Sequence, residues 1–157
     1  MNAPAIELRP MLAADYAAVF ALWSRSEGMG LGESDTEAAI ATFLARNPGL
    51  STVAVDAAGA LVGAVLCGHD GRRGYLHHLA VDGACRGRGL GRRLVDRCLA
   101  ALERERIAKC NIFVYREHDA GIGFWRHHGF GEVAWLTMQR PLAAAVRASA
   151  TACGTSC

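Results

Sequence analysis

The sequence predicts a single domain of mixed α/β (α+β) class, in which one sheet is flanked by helices. Strand-like segments occur both before and between helical segments, as in domains built around one mixed sheet. The chain of 157 residues can bury one sizeable core, and 52% of its residues are hydrophobic while 20% are charged. Neither an internal repeat nor an interdomain linker interrupts this pattern.

Two helices are expected in the first third of the chain. Asp15 is a suitable N-cap for the first, because apolar side chains recur at helical spacing after it. A glycine-rich loop, EGMGLGESD (27–35), separates it from the second helix. Ser34 or Asp35 is the expected cap of that helix, which runs to about Asn47 and ends before a Pro-Gly pair.

Two more helices follow in the second half. One extends from about Gly89 to Arg106, and a short one spans about 119–128 and ends at Gly129. The first of these carries an apolar stripe with a spacing of four residues, formed by Leu90, Leu94, Cys98 and Leu102.

Strands are expected between these helices, because their residues are apolar or β-branched and are bounded by turn residues. The second and third form a hairpin around Ala58-Gly59. The six predicted strands are at 5–9, 51–56, 60–68, 74–81, 110–115 and 132–139.

Composition excludes several classes of protein. The net charge of +2 is too small to favour nucleic acid as a partner, and no apolar run approaches the ~20 residues that a membrane span needs. Residues 1–9 lack the basic start and apolar core of a signal peptide. The six cysteines form no Cys-x-x-Cys pair, so we expect reduced thiols, no metal site and a cytoplasmic location.

The segment CRGRGLG (85–91) is the most informative part of the sequence. It joins a strand to a helix N-terminus, where free N–H groups and the helix dipole favour a phosphate. Glycines let the main chain approach a ligand, and the neighbouring arginines add charge-assisted contacts. A P-loop is excluded because Arg92-Arg93 replaces Lys-Ser/Thr, and a dinucleotide fingerprint lacks its last glycine. A pyrophosphate site and a plain glycine turn remain as alternatives.

RGRGLG (86–91) resembles the Arg/Gln-x-x-Gly-x-Gly/Ala signature of the GNAT superfamily of acetyl-CoA-dependent N-acetyltransferases. The resemblance extends to 75–102 and 112–130 and covers roughly residues 5–140. It implies a largely antiparallel GNAT sheet with splayed central strands, within a GNAT acetyltransferase domain at 1–142. A tail at 143–157 follows, for which a helical extension and disorder are both open.

The resemblance implies acetyl-CoA as cosubstrate, with no metal. Main-chain amides of 86–91 would hold the coenzyme A pyrophosphate, and Leu79 and Val81 would offer backbone groups to the pantetheine arm. His118 replaces an asparagine that touches the pantetheine end in the family, and Trp125 would wall the thioester. The expected cofactor-binding residues are Leu79, Ala80, Val81, Arg86, Gly87, Arg88, Gly89, Leu90, Gly91, Arg92, His118 and Trp125.

Acetyl transfer to an amine needs a base, since an alkylammonium has a pKa near ~10. By resemblance to arylalkylamine acetyltransferases of the superfamily, His77 is the candidate general base, with Tyr75 beside it; a histidine with a purely structural role is the alternative. Strand alternation places Tyr75, His77 and Leu79 on one face and His78 on the other. The oxyanion would be stabilised by a main-chain N–H near Leu79 or Ala80, where the family's strand bulges.

The family's usual proton donor to the leaving thiolate is a tyrosine, and Trp125 stands at that position. Indole cannot act as an acid at neutral pH, so the role does not transfer to Trp125. Tyr115 is a candidate substitute, as are His118 and His127. A thiol has a pKa near ~8.5, so coenzyme A thiolate can also leave without a donor.

The expected reaction is direct attack, in a ternary complex, by a primary amine of a small molecule or a protein on acetyl-CoA. Glu27, Glu33 and Asp35 can draw in a cationic amine, although charged residues in a loop are also commonly just solvated. The alternative function is a non-catalytic module that binds or senses acyl-CoA. We expect neither nucleic acid nor membrane as a partner, and a homodimer is left open.

Overall fold

The computed structural model describes residues 5–142, so the predicted tail at 143–157 lies outside the described part of the chain. Five strands in this part form one sheet in the order β1-β2-β3-β4-β5. The first four are consecutive antiparallel neighbours, and β5 is parallel to β4. The strands are β1 (Glu7–Pro10), β2 (Thr52–Val55), β3 (Leu61–His69), β4 (Gly74–Val81) and β5 (Cys110–Ile112).

Helices cover both faces of this sheet. They are α1 (Tyr16–Ser24), α2 (Glu37–Arg46), α3 (Leu90–Arg104) and α4 (Asp119–His127). The helix α3 packs on one face, where all four residues of its predicted apolar stripe are buried. Trp23 of α1 and Ile40 of α2 belong to a second apolar cluster, on the opposite face. The predicted fold class is therefore confirmed, with the sheet buried between two helical layers.

The start of α1 agrees with the prediction, and the start of α2 does not. Asp15 occupies the N-cap position of α1, although its carboxylate accepts the Leu12 N–H at 2.8 Å and pairs with Arg9 and makes no hydrogen bond to α1. The cap of α2 is Thr36, whose hydroxyl accepts the Ala39 N–H at 3.3 Å. The predicted cap, Asp35, is buried and has other partners, because it lies in a 3-10 turn just before α2.

The strands β4 and β5 splay apart, as the predicted GNAT sheet requires, although β5 is the last strand of the sheet in the described part of the chain. They pair only from Gly74 with Cys110 to Leu76 with Ile112. Beyond that point β4 continues to Val81 without a strand partner on that side within the described chain. The sheet therefore opens between the two strands, and main-chain groups of β4 border the opening.

A β-bulge lies in β4 at the same level. The pairing with β3 shifts between Ala64, which faces Ala80, and Leu66, which faces His77. Two residues of β4, His78 and Leu79, thus stand opposite a single residue of β3. The bulge expected by resemblance near Leu79 or Ala80 is present.

Two predicted strand segments are wrong. Residues 113–115 are not part of β5, and their apolar side chains are exposed because β4 has already turned away. Residues 132–139 contain no strand either. In this segment Trp135 and Met138 are exposed, and Arg73 lies over the Trp135 ring. Alternating apolar residues form a strand only beside a partner, and β5 offers just three residues.

Candidate active site

Three adjoining cavities follow the opening between β4 and β5. The loop cavity, of about 600 Å³, borders the glycine segment 85–91. The central cavity, of about 730 Å³, lies between residues 76–79 of β4 and residues 112–115. The side cavity, of about 560 Å³, lies against residues 30–35. The loop and central cavities share Leu79, His118 and Phe124, and the central and side cavities share His77, His78 and Tyr115.

Three glycines of the segment 85–91 line the loop cavity. Gly87 and Gly89 both have φ of +73°, which a residue with a Cβ rarely adopts, and Gly89 directly precedes α3. A Cβ at either glycine would meet open space, so these glycines are required by conformation and not by crowding. Gly91 lies against Phe124, where a Cβ would come within 3.3 Å of the ring. The loop thus brings the N-terminal N–H groups of α3 toward the cavity.

The arginines of the loop have different roles. Arg86 lines the cavity, and its Nε donates to the carbonyl oxygen of Val81 at 3.1 Å. Arg92 also lines it and has only a 3.5 Å contact with Asp96 on the exposed face of α3. Arg93 donates to the carbonyl oxygen of Ile6 at 3.0 Å, so it ties the start of the described chain to α3. Only part of the positive charge noted in the sequence therefore faces the cavity.

Most of the predicted cofactor-binding residues surround these cavities. Trp125 lines the central cavity and packs edge-on against Phe124. Arg88 lines none of the three cavities. The predicted residues that line the loop cavity are Leu79, Ala80, Val81, Arg86, Gly87, Gly89, Leu90, Gly91, Arg92 and His118.

His77 lines both the central and the side cavity. Its ring is surrounded by aromatic rings, with Tyr75 at 6.1 Å, Phe113 at 6.1 Å and Phe43 at 6.2 Å between ring centroids. Burial lowers the pKa of His77 below the ordinary value of 6.5, and the neighbouring charge of His78 lowers it further while Asp35 opposes the shift. The imidazole is therefore neutral at neutral pH and can accept a proton.

Tyr75 lies beside His77, as predicted, but it is set back from the cavities. It stacks on His77 and Phe113 but lines none of the three cavities. Tyr115 lines both the central and the side cavity, although its side chain is largely exposed.

His78 forms a pair with Asp35 that the sequence did not indicate. Its Nε2 lies 2.7 Å from Asp35 Oδ1, and the two side chains are 19% and 8% exposed. The other carboxylate oxygen of Asp35 accepts the Gly32 N–H at 2.8 Å. No local pattern could have revealed this pair, because 43 residues separate its members along the chain.

The predicted orientation of His78 is wrong, and the bulge is the reason. His78 has φ of +53°, and its ring lies 4.9 Å from that of Trp23, on the same side of the sheet as His77. Leu79 instead packs with Leu76 against the cluster around α3. One extra residue in β4 therefore reverses the alternation and brings two adjacent histidines to the same cavities.

The loop between α1 and α2 crosses the central cavity. Gly28 lies against the ring of His118, and Gly30 against the hydroxyl of Tyr115, so closely that a Cβ at either position would overlap these atoms. Glu27 lines the loop and central cavities, while Glu33 and Asp35 line the side cavity. The predicted acidic residues thus border the cavities, and the glycines allow the loop to approach residues 115–118.

Two observations concern membranes and metals. No helix in residues 5–142 has the length and apolar character needed to cross a membrane. The same residues contain no cluster of three or more histidine, cysteine or acidic side chains that could hold a metal ion.

Comparison with known proteins decides the family. The family model described as "Acetyltransferase (GNAT) family" matches residues 16–130, which include the glycine loop and both histidines. The chain belongs to the GNAT acetyltransferase family. The predicted family is confirmed, and the protein is an acetyl-CoA-dependent N-acetyltransferase.

Curated bacterial relatives agree with this assignment. An acetyltransferase of Pectobacterium atrosepticum is 31% identical over 137 residues, which cover 87% of this chain and 96% of that protein. An acetyltransferase of Yersinia enterocolitica is 34% identical over 120 residues, covering 76% and 84% of the two chains. The similarity therefore extends over most of the length of both relatives.

Solved structures with the same fold include Ard1 of Thermoplasma volcanium, with a TM-score of 0.73 and 23% identity over 83% of this chain and 85% of that one. The PaiA N-acetyltransferase of Thermoplasma acidophilum, solved in complex with coenzyme A, has a TM-score of 0.71 at 17% identity and covers 81% and 90%. At these identities the likeness concerns the fold of this GNAT protein and not its acceptor.

Proposed function

We propose that this GNAT protein transfers the acetyl group of acetyl-CoA to a primary amine of a small molecule or a protein, by direct attack in a ternary complex. The observation that carries the proposal is that the three cavities adjoin and share lining residues. A glycine loop at a helix N-terminus, an opening between two strands and a neutral histidine border them. Such a space can hold a long cosubstrate at one end and an acceptor at the other.

The loop cavity fits the cosubstrate. The left-handed glycines at 87 and 89 direct main-chain N–H groups toward the pyrophosphate, and Arg86 and Arg92 supply opposite charge. Leu79 and the free edge of β4 would bind the amides of the pantetheine arm, as an added strand does. Val81 borders the same cavity, and its carbonyl oxygen, which accepts from Arg86, has a second lone pair to offer. His118 and Trp125 would enclose the thioester end.

The central cavity supports the chemistry of transfer. The amine nitrogen forms a bond to the acetyl carbon, the carbon–sulfur bond breaks, and the proton released by the amine passes to His77. A main-chain N–H at the bulge stabilises the developing oxyanion. Coenzyme A leaves as a thiolate, since its thiol pKa is near ~8.5, and Tyr115 is the candidate group for its protonation.

The surroundings of the side cavity favour a cationic acceptor. Glu27, Glu33 and Asp35 border the space where the acceptor would enter, so an alkylammonium group would be attracted before it loses its proton.

The thiols of Cys67, Cys85, Cys98 and Cys110 are free, which supports a cytoplasmic site of action for the enzyme.

The proposal is tested by measuring thiol release from acetyl-CoA with a panel of amines, including polyamines, arylalkylamines, aminoglycosides and peptides with free N-termini. We expect turnover with at least one class and protection of the fold against heat by coenzyme A. If coenzyme A protects the fold while no amine gives turnover, the protein is a sensor of acyl-CoA. Binding of neither coenzyme A nor acetyl-CoA, measured by calorimetry, would contradict both functions.

A further inference from the structure

The backbone conformation of His78 is unusual for the middle of a strand. Its φ of +53° lies in the left-handed region, which is disfavoured for a residue with a Cβ. Among residues 5–142 the one other non-glycine residue with a positive φ is Arg106, which follows the end of α3, where left-handed residues are common. A disfavoured conformation inside a strand persists only where surrounding contacts hold it.

Two side chains from outside β4 hold His78. The indole Nε1 of Trp23 donates to the carbonyl oxygen of His78 at 2.9 Å, and the Trp23 ring lies against the imidazole. The carboxylate oxygen Oδ1 of Asp35 lies 2.7 Å from the imidazole Nε2 of His78, which is hydrogen-bond distance.

Both partners are themselves fixed in place. Trp23 is fully buried in the cluster between α1 and the sheet. The Asp35 carboxylate is held by the Gly32 N–H, and its backbone carbonyl oxygen accepts from the Tyr16 hydroxyl at 2.8 Å. The conformation of His78 is therefore determined by α1 and by the 3-10 turn before α2.

This conformation produces the bulge. Because His78 is left-handed, the chain from His77 to Ala80 leaves the ladder with β3, and Leu79 lies at the border of the central and loop cavities. Oxyanion stabilisation requires an N–H group whose position is fixed before the reaction begins. The contacts of Trp23 and Asp35 with His78, which we call the clamp, supply that fixed position.

We propose that Asp35 and Trp23 are positioning residues for acetyl transfer, which act by holding His78 in the left-handed conformation that directs the Leu79 amide toward the acetyl oxygen. This inference rests on the proposed function. It gives His78 a conformational role, distinct from the proton-accepting role of His77, and it couples the acceptor side of the site to the oxyanion-stabilising amide.

Glycine provides a specific test, since it adopts a positive φ without any clamp. Asp35→Ala should lower kcat about 10- to 100-fold, with little change in KM for acetyl-CoA, because a displaced oxyanion donor costs less than the about 10²- to 10³-fold loss on complete removal of a donor. His78→Gly should keep kcat within about 5-fold of the unmodified enzyme, whereas His78→Val should lose as much as Asp35→Ala. In the His78→Gly background, Asp35→Ala should change kcat by no more than about 3-fold, because the clamp has no further effect.

A matched control is Asp56→Ala. Asp56 organises the turn between β2 and β3 by accepting the N–H groups of Ala58 and Ala60, remote from the three cavities. Its replacement should leave kcat unchanged.

Three kinetic results would each overturn the proposal: an Asp35→Ala variant with normal kcat, an equal loss from Asp35→Ala in both backgrounds, or a His78→Gly variant as impaired as His77→Gln. The last result would indicate that the His78 ring takes part in the chemistry.

A crystal structure of the Asp35→Ala variant tests the clamp without any activity. We expect residue 78 to leave the left-handed region and the Leu79 amide to change direction within the bulge, and a φ that stays near +53° would overturn the inference. The two failures can be told apart. If the unmodified protein transfers no acetyl group to any amine but the Asp35→Ala variant shows this structural change, the proposed function fails and the structural role of the clamp stands.

Discussion

The two ends of the candidate site are built differently. The loop cavity is shaped by main chain, with left-handed glycines before the N-terminus of α3. The acceptor end is shaped by side chains from distant segments, such as His77, His78 and Asp35, which meet only in the folded chain. A main-chain site is encoded by a short run of residues, whereas a side-chain site is encoded by tertiary packing. Substitutions at the two ends should therefore affect different kinetic constants.

The largest effect is expected at the acceptor end, from His77→Gln. Removal of a general base typically lowers kcat about 10²- to 10⁴-fold, and the affinity for coenzyme A should not change, because His77 does not line the loop cavity. The initial rate of thiol release at saturating substrates gives kcat, and calorimetry gives the affinity for coenzyme A. His69→Gln is the control, since His69 lies at the end of β3 and accepts only the Gly71 N–H. Equal activities of the two variants would remove His77 from the mechanism.

The pH dependence of kcat tests the same end. Because the neutral imidazole accepts the proton, activity should be complete above the pKa of His77 and fall about tenfold per pH unit below it. Burial places that pKa below 6.5, so the fall begins on the acid side of 6.5. The residual activity of His77→Gln should lack this limb. Persistence of the limb in the variant would assign it to another group.

At the cofactor end, Gly89→Ala should raise KM for acetyl-CoA about 5- to 30-fold, the equivalent of the 1–2 kcal/mol that a left-handed conformation costs an L-residue. At saturating acetyl-CoA, kcat should change little. Gly49→Ala is a matched control, because Gly49 has a φ of +75° with open space around its Cα and lies outside the site. Both variants should lose similar stability in thermal melts, and a similar rise in KM in both would show that the loop conformation is not specific to binding.

The smallest effect is expected from Gly30→Ala, in the loop that crosses the central cavity. The new methyl group would displace the Tyr115 hydroxyl, which is the end of an exposed side chain, so KM for the amine should change only about 2- to 5-fold. Gly32→Ala is the control, since its Cβ would meet no atom within 4 Å and its φ of −157° is extended. If KM for acetyl-CoA changed and KM for the amine did not, the assignment of this loop to the acceptor end would be contradicted.

Sequence reasoning identified what local patterns determine. The stripe on α3, the glycine loop before it and the bounds of β4 all follow from periodicity and turn residues within a few positions of one another. The failures have a shared cause. Residues 132–139 alternate like a strand but have no partner, and Asp35 resembles a helix cap but is recruited by His78. In both cases the outcome depends on distant parts of the chain that the local sequence does not show, namely the lack of a strand partner for 132–139 and the presence of His78 beside Asp35.

The bulge also imposes a constraint on the length of β4. A deletion of one residue at position 78 would restore a regular ladder with β3, while Leu79 to Val81 would keep their faces, and Ala80 and Val81 their partners in β3. The packing of the strand would thus survive the deletion, but the left-handed residue beside the cavities would be lost. Natural or laboratory variation in this enzyme should accordingly replace His78 far more readily than omit it, since the proposed chemistry depends on that one surplus residue.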